Sequence, residues 1–446
     1  VTEAWWESLS HDEMREALTQ ALQIAPELEA PLRAALRARN GELDGVAAMV
    51  DDVLRTRRFL DWRQTKEYYE DAQPVLDLLS QQVESHPTQE LVELLQRAIK
   101  HVLAVIHRAD DDGLIGSVLD TLYDMHVQVC ARSLPDQKKL ATWLIKHTFD
   151  SDTFNPPDPV EYAGALGEKG IALYRTAVHK ELDGAVGADT YSTAISHGRY
   201  AVERLAVIDR DPGAIIASYD HIERASWREL EIARAMREID RDDLALEHAR
   251  AGLATSEAFD RRKLVALTAS ILADTGDLAA LHSLRVADHD IRADRTSYAA
   301  LRDASTSLGR WEADRPAAIV TLGRRNVREL VAVLLEEGRV DEAWDTYRAA
   351  TDLTLWEKDY LALVAARAKA HPGDAVDAYL ALADKELQTS DRRHYEQAIR
   401  YVKKAVEPAK RADRGDDVAG HVRAWRETHK RRPSLIQLLD RAQLDP

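Results

Sequence analysis

Four short stretches in the second half of the chain can be laid over one another: DDLALEHA from Asp242, GDLAALHS from Gly276, VDEAWDTY from Val340 and GDAVDAYL from Gly373. Their matching small residues are Ala245, Ala279, Ala343 and Ala375, separated in turn by 34, 64 and 32 residues. Two helices and two turns consume about 34 residues. A small side chain at a fixed place in each unit lets the paired helices approach closely. The doubled interval leaves room for one divergent unit. The helices that precede these stretches, ELEIARAMREI, KLVALTASILADTG and VRELVAVLLEEG, each carry an apolar stripe that ends in turn residues. No single unit can bury such a stripe alone, so neighbours must stack.

Outward from this repeat the chain stays helical but loses its period. Ser8 or Ser10 precedes an acidic turn and the amphipathic run Met14 to Leu22, the pattern of a capped helix start. Leu91, Leu94, Leu95, Ala98, Val102, Val105 and Ile106 fall at steps of three and four after Pro87 and Thr88, which predicts a helix with one buried face. Asp110, Asp111, Asp112 and Gly113 interrupt it, and Leu114 to Ala131 resumes the pattern. This predicts an antiparallel pair whose turn supplies an aspartate cap. The run DSDTFNPPDP after His147 predicts a loop. DGAVGADTYS, residues 183 to 192, predicts a boundary between an irregular helical part at 1–182 and a tetratricopeptide-like part at 193–446.

Composition supports an all-α solenoid of antiparallel helix pairs: Ala, Leu, Glu, Arg and Asp dominate, with 4 Phe, 4 Met, 19 Gly and 14 Pro in 446 residues. A net charge of -17 sets the global field against nucleic acid and anionic membrane. One cysteine, Cys130, excludes an internal disulfide and any zinc site of several thiolates within this chain. No stretch approaches the roughly 18 to 20 apolar residues that span a bilayer. VTEAWWESLSHDEMREAL lacks the features of a signal peptide, so a soluble cytoplasmic protein is expected. A first residue of Val fits a chain processed or cut from a longer one.

FLDWRQTKEYYEDAQPVLDLL from Phe59, LYDMHVQVCARSLPDQKKLATWL from Leu122 and EYAGALGEKGIALYRTA from Glu161 resemble segments of the helical region that accompanies the finger in bacterial SWIM zinc-finger proteins. RDDLALEHARAGL, VDEAWDTYRAA and the ending HKRRPSLIQLLDRA from His429 are similar to the same region in order and spacing. The resemblance runs from about Trp5 to Ala442 and implies a helical repeat body. The finger itself needs a C-x-C pair followed by C-x-H, which a single cysteine cannot build. Nothing the finger does carries over.

Several constellations invite a functional role, each beside a structural one. His126 and Cys130, at i and i+4, can present two metal ligands, half a site; the structural reading is a packed thiol and a hydrogen-bonded imidazole. The Asp110–Gly113 cluster fails as a calcium loop, because with Gly113 sixth the first position is Arg108 and the twelfth Leu119. Phe59, Asp61, Trp62, Tyr68 and Tyr69 form the densest aromatic patch, suited to anchoring a partner or to packing between repeats. Trp5 and Trp6 divide the same way, between a docked cap and an exposed contact. Arg423, Arg426, Lys430, Arg431 and Arg432, about His429 and Pro433, make the clearest basic cluster, suited to phosphate or an acidic partner, or to the end of a helix.

No nucleophile elbow, phosphate loop, H-E-x-x-H pair or dinucleotide fingerprint occurs, and no catalytic residue, metal or cofactor is assigned. The expectation is a scaffold that recognises a protein partner along a groove. The alternatives are a nucleic-acid-associated factor derived from a SWIM-type protein and a helical enzyme whose site forms only in three dimensions.

Overall fold

The computed structural model describes residues 9–26, 29–38, 42–110, 113–149, 156–184, 193–223, 225–256, 258–350 and 353–444. Helix is the only regular structure among them apart from one isolated bridge, Leu60 to Ala109.

The repeat is written in its turns. Arg210, Asp240, Gly276, Gly309, Gly338 and Asp413 all adopt left-handed backbone, with φ of 53°, 60°, 73°, 66°, 74° and 52°. In each case the next amide reaches back five residues: Asp211 to the Ala206 carbonyl at 3.1 Å, Arg241 to Met236 and Asp277 to Leu272 at 2.9 Å, and Arg310 to Ser305, Arg339 to Leu334 and Arg414 to Ala409 at 2.8 Å. This Schellman closure satisfies the carbonyls that a helix end orphans. Four of the six amides belong to arginines whose side chains then pair with an acid in the following helix: Arg241 with Asp243, Arg310 with Asp314, Arg339 with Glu342 and Arg414 with Asp417. Each of these four turns therefore both ends one helix and anchors the start of the next.

The helices so produced come in order as Ala225–Glu238 and Asp242–Thr255, Ala258–Asp274 and Leu278–Arg292, Arg295–Ser307 and Trp311–Arg325, Val327–Glu336 and Val340–Ala349, Glu357–Arg367 and Pro372–Glu386, Arg392–Arg411 and Gly415–Thr428, then Pro433–Arg441. The doubled interval is filled by the pair at 295–325. Ala245, Ala343 and Ala375 are fully buried, as the small-residue argument requires, but Ala279 is exposed and its unit buries His282 instead.

In the first half Ser10 caps His11–Ile24 and completes a box with Glu13. Thr88 caps Gln89–Ile106, which buries Leu91, Val92, Leu94, Leu95, Ala98, Ile99, Val102 and Val105. Each buried Leu, Ile or Val side chain among them contributes about 1.5–3 kcal/mol of transfer free energy against the entropy of ordering the chain. Gly113, at φ 109°, stands immediately before Leu114–Ser133, and the expected aspartate cap falls on Asp110 and on Asp111 and Asp112, the last two outside the described residues. The Asp110 amide donates to the Leu60 carbonyl at 2.8 Å, and the Leu60 amide donates to the Arg108 carbonyl at 2.8 Å. Asp111, Asp112, residues 150–155 of the expected loop, and Trp5 and Trp6 lie outside the described residues.

The chain divides into two compact units, Val1–Arg261 and Arg262–Pro446. The break at 183–192 falls inside the first, with 185–192 outside the described residues. On either side of it Ala163–Gly184 and Thr193–Ile208 pack together, and Val178, Ala201 and Leu205 belong to one core. Among the described residues no helix is long and apolar enough to cross a membrane.

Candidate functional site

The sequence-derived candidates separate once their partners are known. Asp61 caps Trp62–Ser85, accepting from the Arg63 amide at 2.9 Å and the Gln64 amide at 3.0 Å. Tyr68 is buried and donates to the Leu54 carbonyl at 3.0 Å, while Tyr69 is half-buried. Phe59 and Trp62 remain open, 66% and 63% exposed, with the Arg63 guanidinium 4.9 Å from the Trp62 ring centre. At the C-terminal end Arg426 pairs with Asp440 at 2.7 Å, and Arg432 donates to the Leu387 carbonyl at 2.8 Å while lying over Tyr395. Arg423, Lys430 and Arg431 are exposed.

His126 and Cys130 are fully buried. The Gln96 amide nitrogen lies 3.1 Å from Nε2 of His126 and donates to it, which leaves the ring proton on Nδ1 to donate to the Tyr162 hydroxyl at 2.9 Å. Burial pushes the imidazole down to about 3 and the thiol up to about 12. Trp143 packs on the imidazole at 4.3 Å between ring centres. Both ring nitrogens are thus engaged within the core.

A cleft of about 510 Å³ opens elsewhere in the first unit, where sequence reasoning placed nothing. Its origin is a shortened helix. Asp211 caps Pro212–Ser218 through the Gly213 and Ala214 amides, but the helix stops after 7 residues. The cleft is lined by its long neighbours Thr193–Ile208 and Ala225–Glu238 together with the residues at the end of the short helix. The walls are Tyr200, Tyr219, Ile222 and Trp227, and Trp227 is 40% exposed.

The floor is ionic. Arg204, buried, binds Asp158 through Nε at 2.9 Å and Nη2 at 2.8 Å, reaches Glu203 at 3.1 Å, and makes a bidentate pair with Glu238. One guanidinium therefore serves three carboxylates. Burial pushes the Glu203 carboxyl up to about 7 against the pull of Arg204, with Glu238 and Asp158 adding to the rise. Glu161 is raised as well, by burial and then by Asp158 and Asp124. At the rim Arg234 pairs with Glu231 at 2.7 Å, whereas Arg199 has no ion-pair or hydrogen-bond partner among the described residues.

The Ser218 hydroxyl donates to the Ile215 carbonyl at 2.7 Å and Nδ1 of His221 to the Ser218 carbonyl at 2.9 Å, so the two are not joined as nucleophile and base. The sequence signals for the cleft were Asp211-Pro212 so soon before Trp227, too short an interval for a full helix pair, and the charged Glu203-Arg204 set inside the apolar run AVERLAVI. No family model and no curated protein matches the chain. Among solved structures it is similar to a chain of "Structure of Naa15/Naa10 bound to HypK-THB", at 13% identity and a TM-score of 0.27; the match covers 85% of this chain, which spans 63% of the length of that one.

Proposed function

We propose that this chain is a protein-interaction module that takes an extended partner segment into the cleft beside the Pro212–Ser218 helix. The observation that carries the reading is one cleft lined by the exposed Trp227 and by Arg199, which has no ion-pair or hydrogen-bond partner among the described residues, above a fixed ionic floor. Aromatic and arginine side chains in a concave, water-excluding setting are the residues that dominate protein recognition. The segment that fits is an apolar side chain with a carboxylate close by, the first against Trp227 and Tyr200, the second on Arg199. A cytoplasmic setting and kinship with the helical region of SWIM zinc-finger proteins belong to the same proposal.

The test is photo-crosslinking in the native host from a benzophenone amino acid at position 227, with position 62 as the comparison. A protein adduct at 227 that survives nuclease and raised salt, and that Arg199→Glu abolishes, supports the reading. Adducts from position 62 alone move the site to the Phe59 and Trp62 surface. Adducts lost to nuclease replace the protein partner with nucleic acid.

A further inference from the structure

A second cleft, of about 520 Å³, lies between Gln89–Ile106 and Gln137–Phe149. It is lined by Arg97, Lys100 and Lys146, with His107 and His147, and by Trp143, Leu103, Ala104 and Gln96; among the described residues no Asp or Glu lines it. In a chain of net charge -17 this is a local reversal of sign.

Two of the three cations are not consumed by ion pairs among the described residues. Arg97 stands 3.5 Å from Asp51, a carboxylate that His101 already holds at 2.9 Å. Lys100 and Lys146 are exposed and have no ion-pair or hydrogen-bond partner among the described residues. Like charges facing one cavity repel one another, and an anion in the cavity relieves that repulsion. The core beneath is fixed: Trp143 lies against His126 and His147 at 4.3 and 4.2 Å between ring centres, and His126 is tied to Gln96 and Tyr162.

We infer that this cleft binds a phosphorylated small molecule of about nucleotide size. Three cations from two helices call for more than one negative charge, which a phosphoryl chain carries and a single carboxylate does not. The planar Arg97 fork matches phosphoryl oxygens, with lysines as point charges beside it. Trp143, Leu103 and Ala104 supply an apolar wall for the organic body. The volume falls in the range of about 300–1,000 Å³ usual for small-molecule sites. None of these residues lies in the cleft of the proposed function, so either proposal can fail alone.

The experiment is a fluorescence titration of the whole chain with methylanthraniloyl-ATP, with inorganic pyrophosphate as competitor. Saturable binding that pyrophosphate displaces is expected, and the doubly substituted Lys100→Glu, Lys146→Glu chain should bind about tenfold or more weakly. Lys100→Gln with Lys146→Gln, which leaves these exposed positions uncharged, should show a smaller loss in the same direction. Arg431→Glu, in the basic cluster of the second unit, should change nothing. Absence of saturable binding at millimolar probe by the folded protein overturns the inference. So does an equal loss in Arg431→Glu, or stronger competition by an acidic peptide than by pyrophosphate.

Discussion

Glu203 is the residue whose chemistry depends most on its surroundings. Its carboxyl rises from 4.5 to about 7 because burial disfavours the charged form more than Arg204 favours it, with Glu238 and Asp158 adding to the rise. The folded state therefore holds a proton that the unfolded chain releases between about pH 4.5 and 7. Stability contributed by this group is present below pH 4.5 and is lost as pH rises through 7. Glu203→Gln keeps a carbonyl oxygen for Arg204 and removes the titration. The variant should gain about 1–3 kcal/mol relative to the parent between pH 5 and pH 8. Urea unfolding at the two pH values checks this, and an unchanged difference between the proteins would refute the assignment. In the sequence the only trace of this is the Glu203-Arg204 pair inside the apolar run AVERLAVI, since Glu203 is otherwise one acid among 77.

At the scale of the element, the turns argue for a backbone cause. Gly309 sits at φ 66° with nothing within 4 Å of where a Cβ would stand, so a side chain there meets conformational strain alone. Gly309→Ala should destabilise by about 1–2 kcal/mol. Gly116 has equally open surroundings but lies within Leu114–Ser133, and Gly116→Ala should stabilise by about 0.5 kcal/mol. Thermal unfolding of the two variants, expected to shift in opposite directions, tests whether conformation or space decides. The same turns show what a sequence can give. Helix existence was legible from caps and periodicity, as at Ser10, Thr88 and the stripe from Leu91 to Val105, because these signals act within a few residues. The pairing of Leu60 with residues 108 and 110 was not legible, because it depends on contacts some 48 positions away. The short Pro212–Ser218 helix leaves its mark as a missing turn, a signal that appears only when neighbouring units are already known.

At the scale of the molecule, a chain of helix pairs is stabilised mainly by each pair against the next. The two units have distinct cores: Leu91, Val102 and Leu144 belong to one, and Leu330, Leu363 and Tyr401 to the other. Damage to one core should therefore stay in its own unit. Leu363 is fully buried in Glu357–Arg367, beside Val364 and among Ala375, Val376 and Tyr379 of the same cluster. Leu363→Ala removes a large aliphatic side chain and should cost about 2–5 kcal/mol locally, depending on how far its neighbours close the space. Hydrogen exchange should then quicken in Val340–Ala349, Glu357–Arg367 and Pro372–Glu386, while the amides of Gln89–Ile106 keep their protection. If protection falls evenly through both units, the chain unfolds as one cooperative body and nearest-neighbour stacking does not describe it. If it falls only in the second unit, partner and ligand sites in the first can be altered without disturbing the repeats that follow.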